Sequence, residues 1–590
     1  MGSTPDGKWA AKAWWGSALV AGLAACGGAG DSTAPEPEAR TTSAQRADPF
    51  EGLSMQPDAV QEDAVRLAQQ ASFGPSNALL KDIRRLGATE WVAQQLTLSG
   101  ALYTSGGDDK VHRNTSTLFF CDTPGQADNE FCWRDWFSTE PLTWDFYRNA
   151  VEKPDQLRQR VALALQQVFV VSGDHVYGTY GFRNYHNMLL ENAFGNYREL
   201  LRRVTLAPVM GQFLNHVNND KLLPNENFAR ELLQLFSLGT CKLQPSGKLS
   251  GGSCKPVYDN NLVRNYAYAL TGWTYPKGGK TAWGCWPAGT NCEYMGGDMV
   301  AAPALRDGNE RKLLSGITVP AGATAPKALE KVLDSLMQHP NLAPFVSQRL
   351  IQQLVSSNPS GEYVQRVGQA FSAGSFTSGG RSFGTGVPGD MAATVAAVLL
   401  DPEARGTDWD AARRGHLREP ILQMTGALRA LNGHTDGAAL VWWWGENLRQ
   451  PVFRAPSVFN FYPPDYPVAG TSLVGPEFGI HNANTALERL NYLAFLLDWG
   501  GAGPDPDVPG AIGTRVDLTS FLPKAADAAG LVDGLASLTL GRTLASGPRA
   551  KVIAAVSWWT AQTDSANWEL NRVRTAAYLV LGSPDYQVQR

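Results

Sequence analysis

One short polar block of the chain combines residue types and spacing suited to acid–base chemistry. It comprises Asn225, Glu226, Asn227, Arg230 and Glu231, at the start of a predicted helix. A carboxylate such as Glu231 or Glu226 can act as a general acid or base, and Arg230 can hold an anionic group. The block therefore predicts a candidate catalytic site, with Asn225 and Asn227 as binding residues.

The same block also has a purely structural interpretation. Asn225 is a suitable N-cap, and Glu226 complements the positive end of the helix dipole. Glu226 and Arg230 stand four residues apart, where they can form an ion pair. Under this interpretation the block stabilises a helix that ends near Gly239.

A second group of polar residues lies just before that helix. Asp220 and His216 are candidate binding residues, together with Asn218 and Asn219, because oxygen atoms on a loop suit Ca²⁺. With one carboxylate and no EF-hand spacing, a polar turn is the favoured interpretation. The eight histidines form no close metal-ligand pattern. The sequence thus predicts no cofactor and no metal site, and Ca²⁺ is the one cation considered.

Tryptophans provide candidate binding surfaces. Trp273 lies near Trp283 and Trp286, and three more are consecutive at 442–444. Consecutive aromatic residues on a helix cannot all face one core, so we expect at least one, such as Trp443, to be partly exposed. Exposed rings can stack on sugars or peptides, whereas packing in the core is the alternative.

Three further polar residues, His416, Arg418 and Glu419, directly precede Pro420. They could contribute to a pocket. The simpler interpretation is that they begin a helix and form a local ion pair.

The seven cysteines indicate an oxidising compartment. Cys26 ends the run Leu-Ala-Ala-Cys after a basic start and a small-residue apolar stretch, which resembles a lipoprotein signal. Residues 1–26 are thus predicted to be a signal peptide, with Cys26 lipidated and the protein tethered to the cell envelope, at the outer membrane. A cleaved signal with an incidental cysteine is the alternative. The other six cysteines predict local disulfides, Cys121–Cys132, Cys241–Cys254 and Cys285–Cys292.

Helical periodicity dominates the chain from residue 58 to 590, after a Gly-, Ser- and Pro-rich tether over 27–57. We predict helices that include 154–171, 327–337, 342–355, 391–400, 482–497 and 549–560, and a mobile Gly-rich loop over 372–389. The predicted fold is mainly α, a large irregular multi-helix domain with long loops pinned by local disulfides. The net charge of -4 gives no indication of a nucleic-acid partner.

Six segments, in order along the chain, resemble the bacterial family called domain of unknown function 1800. They are RLAQQASFGPS (66–76), QLRQRVALALQQVFVVS (156–172), ENAFGNYRELLRRVTLAPVMGQFL (191–214), NNDKLLPNENFARELLQLFSLG (218–239), ALTGWTY (269–275) and RAPSVFNFYPPDYP (454–467). The resemblance implies a secreted, largely helical protein, and it carries over no catalytic residues. Genes of the family often lie next to genes of a second secreted family, domain of unknown function 1501, which resembles phosphatases and sulfatases. The resemblance therefore also implies a candidate partner from that second family.

Two functions from different classes follow. The first is a lipoprotein that binds an extracellular polysaccharide or envelope glycan. If the protein is an enzyme, it would also process that glycan. Glu226 and Glu231 lie about 140° apart around one helix and cannot form a hydrolase pair. Asp220 or Glu419 would have to supply the second carboxylate. The alternative is a non-catalytic assembly partner of the phosphatase- or sulfatase-like protein.

Overall fold

The computed structural model of the chain describes residues 48–107, 115, 117–278, 284–285, 290–406 and 414–590, with only the backbone at 284, 285, 290, 291 and 442. The predicted signal peptide, the lipidation site Cys26 and most of the tether lie outside the described residues. So do Trp283, Trp286 and the side chain of Cys285, on which the Cys285–Cys292 prediction depends.

Helices make up most of the described structure. The first twelve are α1 (Ala59–Ala71), α2 (Asn77–Leu86), α3 (Ala88–Thr97), α4 (Cys132–Phe137), α5 (Glu140–Glu152), α6 (Gln156–Gln166), α7 (Thr179–Glu191), α8 (Tyr197–Leu206), α9 (Pro208–Phe213), α10 (Asn227–Gln234), α11 (Asn260–Ala269) and α12 (Ala325–Met337). The others are α13 (Leu342–Leu354), α14 (Gly361–Ala373), α15 (Met391–Leu400), α16 (Pro402–Arg405), α17 (Pro420–Ala430), α18 (Gly445–Asn447), α19 (Ala483–Leu497), α20 (Ala528–Leu540), α21 (Ser546–Ser557), α22 (Trp568–Leu581) and α23 (Pro584–Gln587). The predicted mainly α fold is confirmed.

Strands are short and occur as antiparallel pairs. The pairs are β1 (Trp273–Thr274) with β4 (Val300–Ala301), β2 (Gly284–Cys285) with β3 (Thr290–Asn291), β5 (Arg311–Lys312) with β6 (Thr318–Val319), β7 (Phe376–Ser378) with β8 (Arg381–Phe383), β9 (His416–Leu417) with β12 (Val588–Gln589), and β10 (His434–Thr435) with β11 (Thr514–Arg515). The β7–β8 hairpin replaces part of the loop predicted over 372–389. Its turn is formed by Gly379 and Gly380, whose φ angles of 54° and 78° suit a tight hairpin.

Helix α6 is shorter than the predicted helix over 154–171. Its apolar stripe, Leu157, Val161 and Leu165, is buried as the periodicity indicates. The helix ends at Gln166 because the following residues are rich in valine, which favours extended backbone.

Helix α10 begins at Asn227, with Glu226 as its N-cap, one residue later than predicted. It ends at Gln234, five residues before Gly239. The last turn widens there, because the backbone N–H of Phe236 bonds to the carbonyl of Glu231, five residues back.

The described residues form one compact unit, pinned by disulfides. Phe50 and Leu53 are buried in its main apolar core, so the packed chain includes residues predicted as tether. The Cys121–Cys132 and Cys241–Cys254 bonds are present as predicted. No helix in the described part of the chain is both long enough and apolar enough to cross a membrane.

Candidate functional site

The loop before α10 is closed by a single side chain, that of Asn219. It accepts a hydrogen bond from the Asn225 backbone N–H (2.7 Å) and donates one to the Asn225 carbonyl (3.0 Å). Asp220 Oδ1 accepts from the Leu222 backbone N–H (2.7 Å). The closed loop holds Leu222 and Leu223 in solvent, where they are 82% and 88% exposed.

The side-chain oxygens considered for Ca²⁺ take part in hydrogen bonds within the protein. Asn218 Oδ1 accepts from the Thr274 hydroxyl (2.6 Å), and the oxygens of Asn219 and Asp220 accept from backbone groups of the loop. Within the described ranges, no three His, Cys, Asp or Glu side chains group closely enough to hold a metal ion.

His216 does not face a ligand, because it lies fully buried beneath α10. Its ring stacks on Phe228 with centroids 4.4 Å apart. Neither ring nitrogen has a hydrogen-bond partner, and burial lowers the pKa of the imidazole to about 3. The histidine is therefore neutral and acts as a packing group.

The charged residues at the start of α10 pair with one another on the surface. Glu226 lies 3.0 Å from Arg230 Nη2 and 3.3 Å from Arg264 Nε. All three side chains are partly exposed, so water weakens these pairs. Arg230 is thus already paired with a carboxylate.

The two amide residues of the block also bond locally. Asn225 Oδ1 accepts from the Asn227 backbone N–H (2.9 Å), which provides part of the predicted capping. Asn227 Nδ2 donates to Asn215 Oδ1 (2.9 Å). Both side chains are exposed at the helix start.

Glu231 points in the opposite direction, into the protein. Its Oε2 is buried without a hydrogen-bond partner, as is the Tyr258 hydroxyl. Burial raises the pKa of Glu231, opposed by the charge of Arg230. Glu226 and Glu231 therefore do not converge, as the angle between them predicted.

The two candidate tryptophans lie in different environments. Trp273 is buried in β1, which removes it as a stacking surface. Trp443 is 57% exposed and touches Phe495 edge-on, whereas the adjacent Trp444 is buried. The expected exposure of one tryptophan in the triplet thus occurs at Trp443.

A buried polar cluster lies elsewhere, around Glu419. Glu419 Oε2 accepts from the side-chain amides of Gln167 (2.7 Å) and Gln450 (2.6 Å). Gln167 Oε1 accepts in turn from Asn460 Nδ2 (3.1 Å) and the Tyr462 hydroxyl (3.2 Å). We name these five residues, together with Arg160, the Glu419 cluster.

Arg160 is the cation of the cluster and is completely buried. Its Nη2 donates to the Gln353 carbonyl (2.6 Å) and lies 3.9 Å from Glu419 Oε1. Its Nε and Nη1 have no protein hydrogen-bond partner. Burial lowers the pKa of Arg160, and the charge of Glu419 opposes that shift. The charge on Glu419 thus compensates a cation that water cannot reach.

Glu419 is the N-cap of α17, so the predicted helix start is present, but the local ion pair predicted among His416, Arg418 and Glu419 does not form. Arg418 instead lies over the Tyr586 ring (4.3 Å) and donates from Nε to the Tyr586 carbonyl (2.9 Å). His416 Nδ1 lies 2.7 Å from Glu477 Oε1, and both side chains are buried. Glu419 pairs with residues that are distant in sequence, because the segment runs through the protein interior.

A cleft of about 370 Å³ opens beside this cluster. It lies between the ends of α6 and α10, helix α13 and the loop over 458–465. Its walls include Gln167, Gln234, Phe345, Arg349, Phe459 and Asp465. Gln167 therefore belongs both to the cleft wall and to the Glu419 cluster.

Two phenyl rings, Phe459 and Phe345, give the cleft flat apolar surfaces. Phe459 is 49% exposed, and Phe345 is partly buried. Gly239 backs the Phe345 ring, because a Cβ at this position would meet ring carbons at 3.1 Å. The φ of 72° at Gly239 also favours glycine.

The cleft was not predicted from the sequence, although the sequence contains two signals for residues at or beside it. Gln167 interrupts the apolar run 161–171. A polar side chain in such a run is expected to be buried, and a buried polar side chain needs a hydrogen-bond partner, so Gln167 indicates that a second polar group lies nearby. Asn460 and Tyr462 belong to the segment over 454–467 that carried the family resemblance. What the sequence did not show is that these segments meet.

The family model described as "Protein of unknown function (DUF1800)" matches residues 66–588. The matched range contains both the start of α10 and the Glu419 cluster. No curated protein and no solved structure matches the chain significantly.

Proposed function

This chain belongs to the DUF1800 family, and we propose that it binds an extracellular polysaccharide or envelope glycan in the cleft beside the Glu419 cluster. The observation that carries the proposal is the combination of two phenyl rings, Phe459 and Phe345, with the polar side chains of Gln234 and Arg349. Flat rings can stack on sugar faces, and amides can bond to hydroxyls. The volume also falls within the range of about 300–1,000 Å³ common for ligand pockets.

The proposal includes anchoring of the protein in the cell envelope through Cys26. That location would expose the cleft to glycans outside the cytoplasm. A lipid-anchored binding protein needs no membrane-spanning helix, since acyl chains supply the attachment.

The proposal concerns binding rather than hydrolysis. Glycoside hydrolases place two carboxyl groups on either side of the scissile bond. Among the described residues that line the cleft, Asp465 is the one carboxylate. Glu419 lies buried behind Gln167, where it compensates Arg160.

The test compares two exposed aromatic residues. We expect Phe459→Ala to weaken binding of oligosaccharides by about 3- to 10-fold, the usual contribution of one aromatic contact. Trp443→Ala is the matched control, since Trp443 is similarly exposed but does not line the cleft. Isothermal titration of both variants against a panel of envelope and extracellular oligosaccharides gives the affinities. A loss confined to Trp443→Ala would move the site to the tryptophan triplet and reject the cleft.

A second candidate function, the assembly partner, is favoured by the Leu222–Leu223 loop. Two adjacent leucines exposed above 80% are unusual on a soluble surface, and Asn219 fixes the loop that presents them. A preorganised apolar tip is suited to contact another protein, because little conformational freedom is lost on binding.

This candidate is tested by Leu222→Ser/Leu223→Ser against a purified secreted protein of the domain of unknown function 1501 family. We expect the double variant to abolish binding measured by biolayer interferometry. Leu487→Ser, at an exposed leucine on α19, is the control. Unchanged binding by the double variant would exclude the loop as the interface.

A further inference from the structure

Arg349 is a cation of the cleft wall without a carboxylate partner. Its one hydrogen bond in the described part of the chain runs from Nη1 to Gln352 Oε1, at 3.3 Å. No acidic oxygen of the described residues lies within 4.0 Å of its guanidinium, although many other arginines of this protein, such as Arg366 with Asp401, form close ion pairs. Its Nε and Nη2 therefore remain available to a ligand.

The surroundings of Arg349 remove its guanidinium partly from water, which disfavours the charged form. The side chain is half-buried beside Phe345 and Phe459, and burial lowers its pKa to about 10. A charge removed from water in this way interacts strongly with any anion that reaches it. Guanidinium groups also bind carboxylate and sulfate oxygens through two parallel hydrogen bonds.

Asp465 is the one acidic residue of the described cleft wall, and it stands near enough to raise the pKa of Arg349. It is exposed, so solvent screens its charge, and it forms no close ion pair with Arg349. Its presence would weaken binding of an anion slightly without neutralising the arginine.

We propose that the cleft takes an acidic glycan, and that Arg349 pairs with a carboxylate or sulfate group on one of its sugars. This inference rests on the proposed glycan binding and specifies the class of glycan. It assigns Phe459 and Phe345 to the sugar rings and Arg349 to the anionic substituent.

The test compares charged and neutral forms of the same polymers. The probes are oligogalacturonate and its carboxyl-reduced form, and dextran sulfate oligomers and plain dextran oligomers, each titrated calorimetrically into the full chain. We expect at least one acidic probe to bind about 10- to 100-fold more tightly than its neutral form, as a charge-assisted pair contributes. Whether uronate or sulfate gives the larger ratio identifies the anion.

Two variants assign that preference to the arginine. Arg349→Met should remove the difference between charged and neutral probes, and Arg349→Lys should retain part of it. Asp465→Asn, at an exposed position, should tighten binding of the acidic probe by about two- to fivefold. Because this substitution lies on the surface, its effect can be measured even if Arg349→Met fails to fold.

The two proposals fail in different ways. Equal binding of charged and neutral probes, with both weakened by Phe459→Ala, would overturn the anionic subsite and leave glycan binding intact. An acidic preference that persists in Arg349→Met, or an affinity that falls in Asp465→Asn, would also overturn it. If no probe and no member of the wider panel binds, the glycan proposal itself is rejected.

Discussion

The start of α10 and the Glu419 cluster each place a glutamate beside at least one arginine, but only the second does so in the interior. Glu226 meets Arg230 and Arg264 on the surface, where all three side chains touch water. Glu419 lies near Arg160 with both side chains buried, and its other partners are amides. The same ion-pair chemistry thus serves a helix start in one region and the packing of distant segments in the other.

The comparison shows that a run of adjacent polar residues in the sequence does not predict which polar groups are buried and depend on one another. The block over 225–231 is conspicuous because its members are adjacent, yet its exposed groups largely bond to one another. The Glu419 cluster is dispersed over four segments, and each member depends on the others because a buried polar group that loses its partner is costly.

The largest expected difference between the regions is in stability. Glu419→Ala leaves Arg160 buried without compensation, which should lower the free energy of unfolding by about 3–5 kcal/mol. Glu226→Ala removes exposed pairs and should lower it by less than about 1 kcal/mol. Urea unfolding followed by circular dichroism measures both, and similar losses would erase the distinction drawn between them.

A smaller effect connects the end of α10 to the cleft. Gly239→Ala should lose about 1–2 kcal/mol of stability, because a side chain disfavours left-handed backbone. Gly252→Ala is the control. Gly252 also has left-handed backbone, with φ of 78°, but a Cβ added there would have no atom within 4 Å. We therefore expect Gly239→Ala to lose at least as much thermal stability as Gly252→Ala, and to be the one of the two that binds oligosaccharide more weakly, because Phe345 must move. Equal binding by the two variants would show that Phe345 has no part in the site.

The smallest effect distinguishes two glutamates of the block. Because burial raises the folded-state pKa of Glu231, its contribution to stability is greatest at low pH and falls as pH rises from about 4.3 through that raised pKa. Glu231→Gln should remove this fall and be relatively more stable at pH 7 than at pH 4. Glu226→Gln should instead destabilise at pH 7, because it loses its ion pairs. Thermal melting at both pH values gives the signs, and parallel behaviour of the two variants would contradict the opposite orientations.

The sequence predicted what depends on near neighbours. The bounds of α15 and the pairing of Glu226 with Arg230 follow from helical spacing, and the two disulfides in the described part join cysteines 11 and 13 residues apart. Gln167 and Glu419 are separated by 252 residues, and no periodic pattern encodes such a contact. The cleft escaped prediction for that reason.

The pairing of β9 with β12 has a consequence for the order in which the protein acquires its structure. Residues 588–589 lie against His416 and Leu417, and the backbone N–H of Arg418 bonds to the Gln587 carbonyl. The segment leading into Glu419 is thus held by residues that a ribosome adds more than 160 positions later. Contacts between residues so far apart in sequence form slowly. During synthesis, the segment 416–418 leaves the ribosome well before the strand with which it pairs. A nascent chain would therefore lack these backbone bonds to the segment before Glu419 until residues 587–589 have been added.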